Sequence, residues 1–246
     1  MNFVKMEGLG NDFVVVGDEV ALDPALIRRL CDRRRGIGGD GLLQVGGGGQ
    51  VVVMGYWNAD GSPAEMCGNG LRCVTRYAID HGIAAGETFV VATPAGERRV
   101  FAGEEPRVEL GRVVVGDPFE FADLQFFRAS VGNPHAVTFV AEVDGAPVAT
   151  VGAALEAAEP AGVNVEFVHV RDQAQLEMRV WERGVGETLA CGSGMVAAAA
   201  VSHHLGFTDA DVSISAPGGT GRVELEANTS WLTGTVRYVF SGSVDL

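Results

Sequence analysis

A cysteine followed by Gly-x-Gly occurs twice in this chain, and the second copy lies 124 positions after the first. Cys67 begins the segment CGNGLRCVTRYAIDHG, and Cys191 begins CGSGMVAAAAVSHHLG. The same offset superimposes Trp57 on Trp181. Because the chain has 246 residues, the offset is about half its length, and a repeat on this scale indicates two similar units in succession. The sequence is therefore expected to fold as two diverged copies of one arrangement.

Each half is predicted to combine several strands with one long helix. Segments rich in β-branched residues predict strands at residues 13–16, 50–56, 88–92, 136–140, 163–170, 174–180 and 222–227. Helices are predicted at residues 24–33, about 70–81 and about 194–205. Asp23 is the expected N-cap of the first helix, and Pro24 is its expected first residue. The third helix is apolar on nearly every side, which predicts that its own sheet encloses it. We expect an α+β fold of two pseudo-symmetric domains, each a curved, mainly antiparallel sheet or barrel around a central helix.

Composition excludes several classes of function. The 32 acidic residues outnumber the 18 basic ones and give a net charge of −14, which argues against a nucleic-acid or membrane partner. No apolar run reaches the roughly 18 residues of a membrane helix, and the first residues do not follow a leader pattern, so a cytoplasmic location is expected. The four cysteines are too sparse for a disulfide framework, and no metal site is expected. Lys5 is the sole lysine and hence the one residue able to bind pyridoxal phosphate covalently.

The two repeated cysteines stand where anions are favoured. In each copy the glycines allow a ligand to approach the backbone, and a helix follows at once, so that unpaired N–H groups and the helix dipole face the site. A thiol there is expected to have a lowered pKa, and the same amides could hold a carboxylate. One such cysteine alone could equally be a small buried residue, but two copies in register favour function. Cys31 and Cys73 lack this context and are assigned to packing.

A pair of thiols suits stereoinversion at a carbon acid. One thiolate removes a proton from one face of the carbon, and the opposing thiol delivers a proton to the other face. The α-proton of an amino acid is only weakly acidic, so the transition state needs electrostatic help, which amides around the carboxylate would supply. The repeated Cys-Gly-x-Gly motif therefore predicts an amino-acid racemase or epimerase.

Several further segments resemble one known family. FVKMEGLGNDF, DRRRGIGGDGLL, WNADGSPAEMCGNGLRC, SVGNPHAVTFV, GVNVEFV and WERGVGETLACGSG resemble diaminopimelate epimerases, in order and with similar spacing from residue 2 to about residue 221. The resemblance implies interconversion of LL- and meso-2,6-diaminopimelate in lysine and peptidoglycan precursor synthesis, without metal or organic cofactor. It also implies a homodimer, a first domain of residues 1–113 joined by a strand at about 236–246, and a second domain of residues 114–235.

The resemblance assigns roles to particular residues. Cys67 is expected to deprotonate the LL substrate and Cys191 to reprotonate it, with the roles exchanged in reverse, while His135 and Glu182 orient the amino group and support the thiols. The guanidinium of Arg183 could grip the distal carboxylate through two hydrogen bonds. The full expected substrate-binding set is Asn11, Gln44, Asn58, Gly68, Asn69, Asn133, Asn164, Glu182, Arg183, Gly192 and Ser193.

Two alternatives stay open at this point. The chain could act on another amino acid with the same fold, which loss of the distal-carboxylate contact at Arg183 would favour. It could instead be a redox protein in which Cys67 and Cys191 form a reversible disulfide. Activity with and without reductant separates these readings, because a disulfide would abolish epimerisation but would be the functional state of a redox switch.

Overall fold

The computed structural model describes residues 1–245, and the chain divides into two units. Unit 1 comprises Met1–Val108 together with the segment that begins at Gly234, and unit 2 comprises Glu109–Thr233. The domain limits expected above, near residues 113 and 235, stay a prediction. The predicted C-terminal strand at about 236–246 includes residue 246, which lies outside the described residues.

Seventeen strands and four α-helices make up the described chain. The strands are β1 (Asn2–Gly8), β2 (Asn11–Gly17), β3 (Gly41–Gly48), β4 (Val51–Asn58), β5 (Thr88–Thr93), β6 (Gly96–Phe101), β7 (Arg107–Glu109), β8 (Val114–Phe121), β9 (Leu124–Ser130), β10 (Pro134–Phe139), β11 (Asn164–Asp172), β12 (Gln175–Glu182), β13 (Gly186–Thr188), β14 (Asp211–Ala216), β15 (Gly219–Leu225), β16 (Ser230–Gly234) and β17 (Arg237–Ser243). The helices are α1 (Pro24–Cys31), α2 (Gly68–Asp80), α3 (Ala153–Ala158) and α4 (Gly192–His204), and a short π-helix, Val148–Gly152, precedes α3.

The sheet of unit 1 is mainly antiparallel. Its strands pair in the order β17, β1, β2, β3, β4, β5, β6, β7. Only β2–β3 and β4–β5 are parallel, and each of these connections contains a helix, α1 in the first and α2 in the second. This is the expected result, because parallel neighbours need a crossover connection. Helix α2 packs against β1, β2, β3 and β4.

Unit 2 repeats this order. Its strands pair as β8, β9, β10, β11, β12, β14, β15, with parallel pairs at β10–β11 and β12–β14. Helix α4 contacts seven strands, β8 to β12 together with β14 and β15, which explains why this helix is apolar all round. The predicted α+β fold of two similar units, each with a sheet around a central helix, is confirmed.

The predicted helices are present, with shifted ends. Asp23 caps α1 as predicted, and its carboxylate accepts the N–H of Leu26 at 2.8 Å. This helix ends at Cys31 and not at residue 33, because Asp32 adopts an extended conformation. The long helices begin two residues earlier than predicted, directly after Cys67 and Cys191. Helix α3 and its π-helical start were not predicted. No helix among residues 1–245 has the length and apolar character needed to cross a bilayer.

Candidate active site

Each repeated cysteine is the N-cap of the central helix of its unit. The sulfur of Cys67 accepts the N–H of Gly70 at 3.4 Å, and the sulfur of Cys191 accepts the N–H of Gly194 at the same distance. Both caps have extended backbones, and both helices have 13 residues. A thiol in this position lies among the first N–H groups of a helix, where negative charge is favoured. The repeat seen in the sequence is therefore also a repeat of local geometry.

In unit 1 the thiol of Cys67 is half-buried and faces Asn11. Its sulfur donates to the Oδ1 atom of Asn11 at 3.5 Å, while the Nδ2 group of Asn11 donates to Asp40 at 2.7 Å. Asp40 also accepts the backbone N–H of Asp12. Because the N–H₂ group of Asn11 donates to the Asp40 carboxylate, the carbonyl end of the Asn11 side chain is turned toward the sulfur of Cys67.

A cluster of charges holds this asparagine in place. Asp12 accepts from the buried Lys5 at 2.6 Å and makes two bonds to Arg33, which also reaches Asp40. Burial acts to raise the pKa of Asp12, but hydrogen bonds from Arg33 and Lys5 outweigh it and hold that pKa well below its usual range. Lys5 also donates to the carbonyl of Gly38. The sole lysine is thus committed to an ion pair.

In unit 2 the thiol of Cys191 is buried beside carboxylates. Ser193 Oγ lies 3.5 Å from its sulfur, and the carboxylate of Glu182, which accepts from the hydroxyl of Thr188, acts on the thiol through its charge. Burial and then the charges of Glu182 and Glu166 raise the pKa of Cys191. The expectation of a lowered pKa at Cys191 is therefore wrong, because desolvation and like charge outweigh the helix amides. Burial likewise raises the pKa of Glu182.

His135 belongs to a hydrogen-bonded chain that ends at the same thiol. Its Nδ1 atom lies 2.7 Å from the buried Glu166, and its Nε2 atom lies 3.1 Å from the Oδ1 atom of Asn133. The Nδ2 group of Asn133 in turn donates to Ser193 at 3.2 Å, and Ser193 contacts Cys191. The structure thus brings together four of the predicted residues of unit 2, namely His135, Asn133, Ser193 and Cys191.

Other predicted binding residues use their side chains within the protein. Asn164 is buried, donates to the carbonyl of Pro134 and accepts the backbone N–H of Arg183. The exposed guanidinium of Arg183 donates to the carbonyl of Ala161 at 3.2 Å. These contacts link the loop after β12 to the start of β10, so Asn164 positions its neighbours through both ends of its amide.

The remaining predicted residues of unit 1 also bond to neighbouring protein groups or lie at the helix start. Gln44 donates to the carbonyl of Val20 at 2.7 Å, and the exposed Asn58 donates to the hydroxyl of Ser62 at 3.0 Å. Asn69 is buried, and its Oδ1 atom accepts from Arg72. The backbone groups of Gly68 and Gly192 lie in the first turns of α2 and α4, as expected of amides that could hold a carboxylate.

The sequence reasoning missed residues that support the site. Glu166 is a partner of His135, and it is the lone polar residue in the otherwise apolar stretch VEFV, a signal that a pattern search could have found. The cluster of Lys5, Asp12 and Arg33 was missed because residues far apart in sequence form it. Cys31 and Cys73 are both buried, and burial raises the pKa of Cys31 to about 11. Across residues 1–245 no three His, Cys, Asp or Glu side chains are grouped so as to hold a metal ion.

Comparison with known sequences finds diaminopimelate epimerases. A family model described as diaminopimelate epimerase matches residues 3–116 and again residues 127–239. Among curated proteins, the diaminopimelate epimerase of Xanthomonas euvesicatoria is 40% identical over 271 residues, which cover 98% of this chain and 95% of that protein. The diaminopimelate epimerase of Moorella thermoacetica is 40% identical over 279 residues, which cover the whole of both.

Solved structures of lower identity share the fold. A hydroxyproline epimerase from Agrobacterium vitis matches with a TM-score of 0.79 at 14% identity and covers 99% of this chain and 90% of its own. A PhzF-family phenazine biosynthesis protein from Enterococcus faecalis matches with a TM-score of 0.77 at 16% identity, with coverage of 100% and 99%. At these identities the likeness concerns the fold alone.

Proposed function

The chain belongs to the diaminopimelate epimerase family, and on that premise we propose that it interconverts LL- and meso-2,6-diaminopimelate without a cofactor, with Cys67 and Cys191 as its two acid–base groups. The observation that carries the proposal is the repeated N-cap geometry. Each thiol accepts the N–H of the glycine three residues ahead, at 3.4 Å in both copies. A two-base reaction needs two acid–base groups of one kind, and the thiols of Cys67 and Cys191 are the candidates.

The proton balance of the reaction is simple. In the LL-to-meso direction the thiolate of Cys67 takes the α-proton and becomes a thiol, and Cys191 gives its proton to the opposite face and becomes a thiolate. The raised pKa of Cys191 supports its role as the acid in this direction, because a thiol with a raised pKa still carries its proton at neutral pH. In the reverse direction the two residues exchange roles.

The developing negative charge needs stabilisation. We assign the reacting carboxylate to the amides of Gly68, Asn69, Gly192 and Ser193, which lie in the first turns of α2 and α4. Preorganised N–H groups at helix starts suit this task, because they need no reorganisation during the reaction. His135 and Glu182 are proposed to orient the reacting amino group, since His135 is held by Glu166 and the charge of Glu182 acts on the Cys191 thiol.

The rest of the predicted set is proposed to recognise the substrate. Arg183 is the candidate for the distal carboxylate, because its guanidinium is exposed and makes one bond to a backbone carbonyl. The amides of the set supply donors and acceptors for a zwitterion. Those amides belong to Asn11, Gln44, Asn58, Asn133 and Asn164.

We also propose that the protein is a cytoplasmic homodimer in lysine and peptidoglycan precursor synthesis. All seven residues of β17 are exposed, and Tyr238, Val239 and Phe240 are each more than 40% accessible. An edge strand with three consecutive exposed side chains of this kind is unusual on a monomer, and a second copy would cover it. Sedimentation equilibrium should give a dimer for the wild type and a monomer for Val239→Lys. A wild-type monomer at all concentrations would contradict the proposal, and cell fractionation tests the location.

The activity is tested by proton NMR of the reduced protein with LL-diaminopimelate in heavy water. The meso isomer should appear with deuterium at the inverted carbon. Neither Cys67→Ala nor Cys191→Ala should form this deuterated meso isomer. Cys31→Ala is the matched control, because this thiol is buried away from a helix start, and the variant should retain exchange. Proline and lysine serve as alternative substrates. Exchange with one of them and none with diaminopimelate would overturn the substrate assignment.

A further inference from the structure

Arg72 is a completely buried cation with few partners. It lies in the second turn of α2, and its side chain has no solvent exposure. Its Nη2 group donates to the Oδ1 atom of Asn69 at 2.9 Å, whereas Nε and Nη1 have no hydrogen-bond partner within residues 1–245. Taking a guanidinium out of water without a matching carboxylate is costly. A residue kept at that cost calls for an explanation beyond packing.

Glycines and acidic groups surround the side chain of Arg72. A Cβ atom added at Gly234 would lie 3.4 Å from Nε, and one added at Gly8 would lie 3.5 Å from Nη2, so two glycines border the guanidinium. Burial lowers the pKa of Arg72. The groups that act against this effect are, in decreasing order, the thiol of Cys73 on α2, the thiol of Cys67 at the N-cap of α2, Glu7 on β1 and Glu105 after β6.

These acidic groups are not equivalent. Cys73 is fully buried and burial places its pKa far above neutrality, so it stays a thiol. Glu7 accepts from the N–H of Gly10 and lies 3.8 Å from Arg237, so it has other partners. Cys67 is half-buried and caps the helix that carries Arg72. Of the groups that act electrostatically on Arg72, Cys67 is the one that also belongs to the proposed reaction.

The repeat shows that this cation belongs to one half only. The offset of 124 that relates Cys67 to Cys191 places Val196 at the position of Arg72. In unit 2 the third residue of the helix, Gly194, lies against the carboxylate of Glu166, whereas in unit 1 Gly70 lies against apolar side chains. The first turn of α2 thus has a buried cation beside it, and the first turn of α4 has a buried carboxylate.

We propose that Arg72 is a positioning residue of the reaction: it fixes the Asn69 side chain in the first turn of α2 and favours the thiolate form of Cys67, so that the resting enzyme carries its thiolate on Cys67 and its thiol on Cys191. The inference rests on the proposed two-thiol function. It concerns the charge on one thiol, and it assigns Arg72 no part in the proton transfer itself. Loss of the charge should disturb Cys67 and leave Cys191 as it was.

The test is the pH dependence of alkylation in the reduced, substrate-free protein. Iodoacetamide reacts with thiolates, and mass spectrometry of the peptides that contain Cys67 and Cys191 gives a separate pH midpoint for each. In the wild type the midpoint of Cys67 should lie below that of Cys191. The reverse order would overturn the inference, and this comparison needs no variant to fold.

Variants then assign the effect to one residue. Arg72→Met should raise the Cys67 midpoint by about one pH unit or more, which is about tenfold less thiolate at a fixed lower pH. Arg72→Lys should restore most of the shift. Arg76→Met is the matched control on the same helix, because the Arg76 guanidinium pairs with Asp80 at 2.7 Å. The Cys67 midpoint should not move in this variant. If Arg72→Met folds and lowers stability while the Cys67 midpoint stays in place, Arg72 is structural and the inference fails.

The two proposals fail in different ways. Alkylation needs no epimerase activity, so it reports on Arg72 even if the substrate is wrong. Deuterium exchange that survives Cys67→Ala would contradict the two-thiol reaction. Exchange that Cys67→Ala abolishes, combined with an unmoved midpoint in Arg72→Met, would overturn the Arg72 inference alone. If both proposals are correct, the acid limb of the pH profile of kcat/KM should shift to higher pH in Arg72→Met, as the alkylation midpoint of Cys67 does.

Discussion

The Oε1 atom of Glu166 lies 2.7 Å from the Nδ1 atom of His135, and neither side chain reaches solvent. The second carboxylate oxygen of Glu166 has no hydrogen-bond partner among the described residues. The pair lies directly beneath the first turn of α4, because a Cβ added at Gly194 would stand 2.7 Å from the same Oε1 atom. The Nδ1 side of the His135 ring is therefore held by a residue that shares no motif with it, while Asn133 contacts the Nε2 side.

Substitution of Glu166 tests this relationship. Glu166→Gln keeps the shape but removes the charge, and it should lower kcat about 10- to 100-fold, because His135 would lose its fixed orientation. The free energy of unfolding should fall by about 1–3 kcal/mol. Steady-state kinetics and urea unfolding measure the two effects. Glu177→Gln is the control, since Glu177 pairs with an exposed arginine, and it should change stability by at most about 1 kcal/mol. Equal effects of the two variants would contradict the prediction.

The two glycines at equivalent positions should differ in tolerance to alanine. In Gly194→Ala the new methyl group would meet the Glu166 carboxylate at 2.7 Å, whereas in Gly70→Ala it would meet Leu43 and Met54 at 3.1 and 3.4 Å. Flexible apolar side chains can shift by a few tenths of an ångström, but a carboxylate bound to His135 cannot do so freely. Gly194→Ala should cost about 1–3 kcal/mol by urea unfolding, and Gly70→Ala about 1 kcal/mol or less. A larger loss at Gly70 would contradict this account of the packing.

The ion pair between Lys5 and Asp12 predicts a pH-dependent stability. Because the pKa of Asp12 is lowered in the folded state, its contribution is complete above the ordinary value of about 3.9 and is lost as the pH falls below it. Asp12→Asn should therefore lose about 2–4 kcal/mol at pH 7, since it leaves the buried Lys5 without its carboxylate. The difference from the wild type should narrow below about pH 4.

Urea unfolding across pH 3–8 checks this behaviour. Asp211→Asn is the control, because Asp211 and its partner Arg222 are both more than half exposed, and its loss should be about 1 kcal/mol or less at every pH. A difference between Asp12→Asn and the wild type that stays constant down to pH 3 would show that the charge of Asp12 is not the cause.

Glu156 should control the loop that carries Arg183. Its two carboxylate oxygens accept from Trp181 Nε1 at 2.7 Å and from the backbone N–H of Gly184 at 2.6 Å, on either side of Glu182 and Arg183. Glu156→Gln can satisfy one of these donors but not both, so KM for the substrate should rise about 5- to 10-fold. Trp181→Phe removes only the first hydrogen bond and should have a smaller effect. A KM that changes only in Trp181→Phe would assign the role to the aromatic ring.

The sequence predicted those parts of the site that local chemistry determines. Cys67 and Cys191 were found because an N-cap thiol, two glycines and a helix are contiguous in the chain, and repetition in register singles them out. Asp23 was predicted as a cap for the same reason, since capping depends on a few neighbouring residues. The apolar helix α4 was predicted to be enclosed, because a helix with no polar face needs contacts on all sides.

What could not be predicted depends on residues distant in sequence. The raised pKa of Cys191 comes from burial and from two carboxylates on other strands, and no local pattern reports either. The contact between Arg72 and Asn69 is local, but nothing in the motif indicates that the guanidinium is completely buried. The predicted end of α1 lies two residues beyond the observed one. The reason is that Asp32 accepts the N–H groups of Arg34 and Arg35 and so closes the helix with a turn.

The pairing of β17 with β1 determines the order in which the two units can be completed during synthesis. Asn2 lies opposite Ser243 and Glu7 opposite Arg237, so the first strand of unit 1 is bordered by a strand that the ribosome makes after all of unit 2. In unit 2 the corresponding position beside β9 is taken by β8, which is made just before it. A nascent chain thus holds the whole sequence of unit 2 while β1 still has an open edge, and unit 2 is the first that can finish folding.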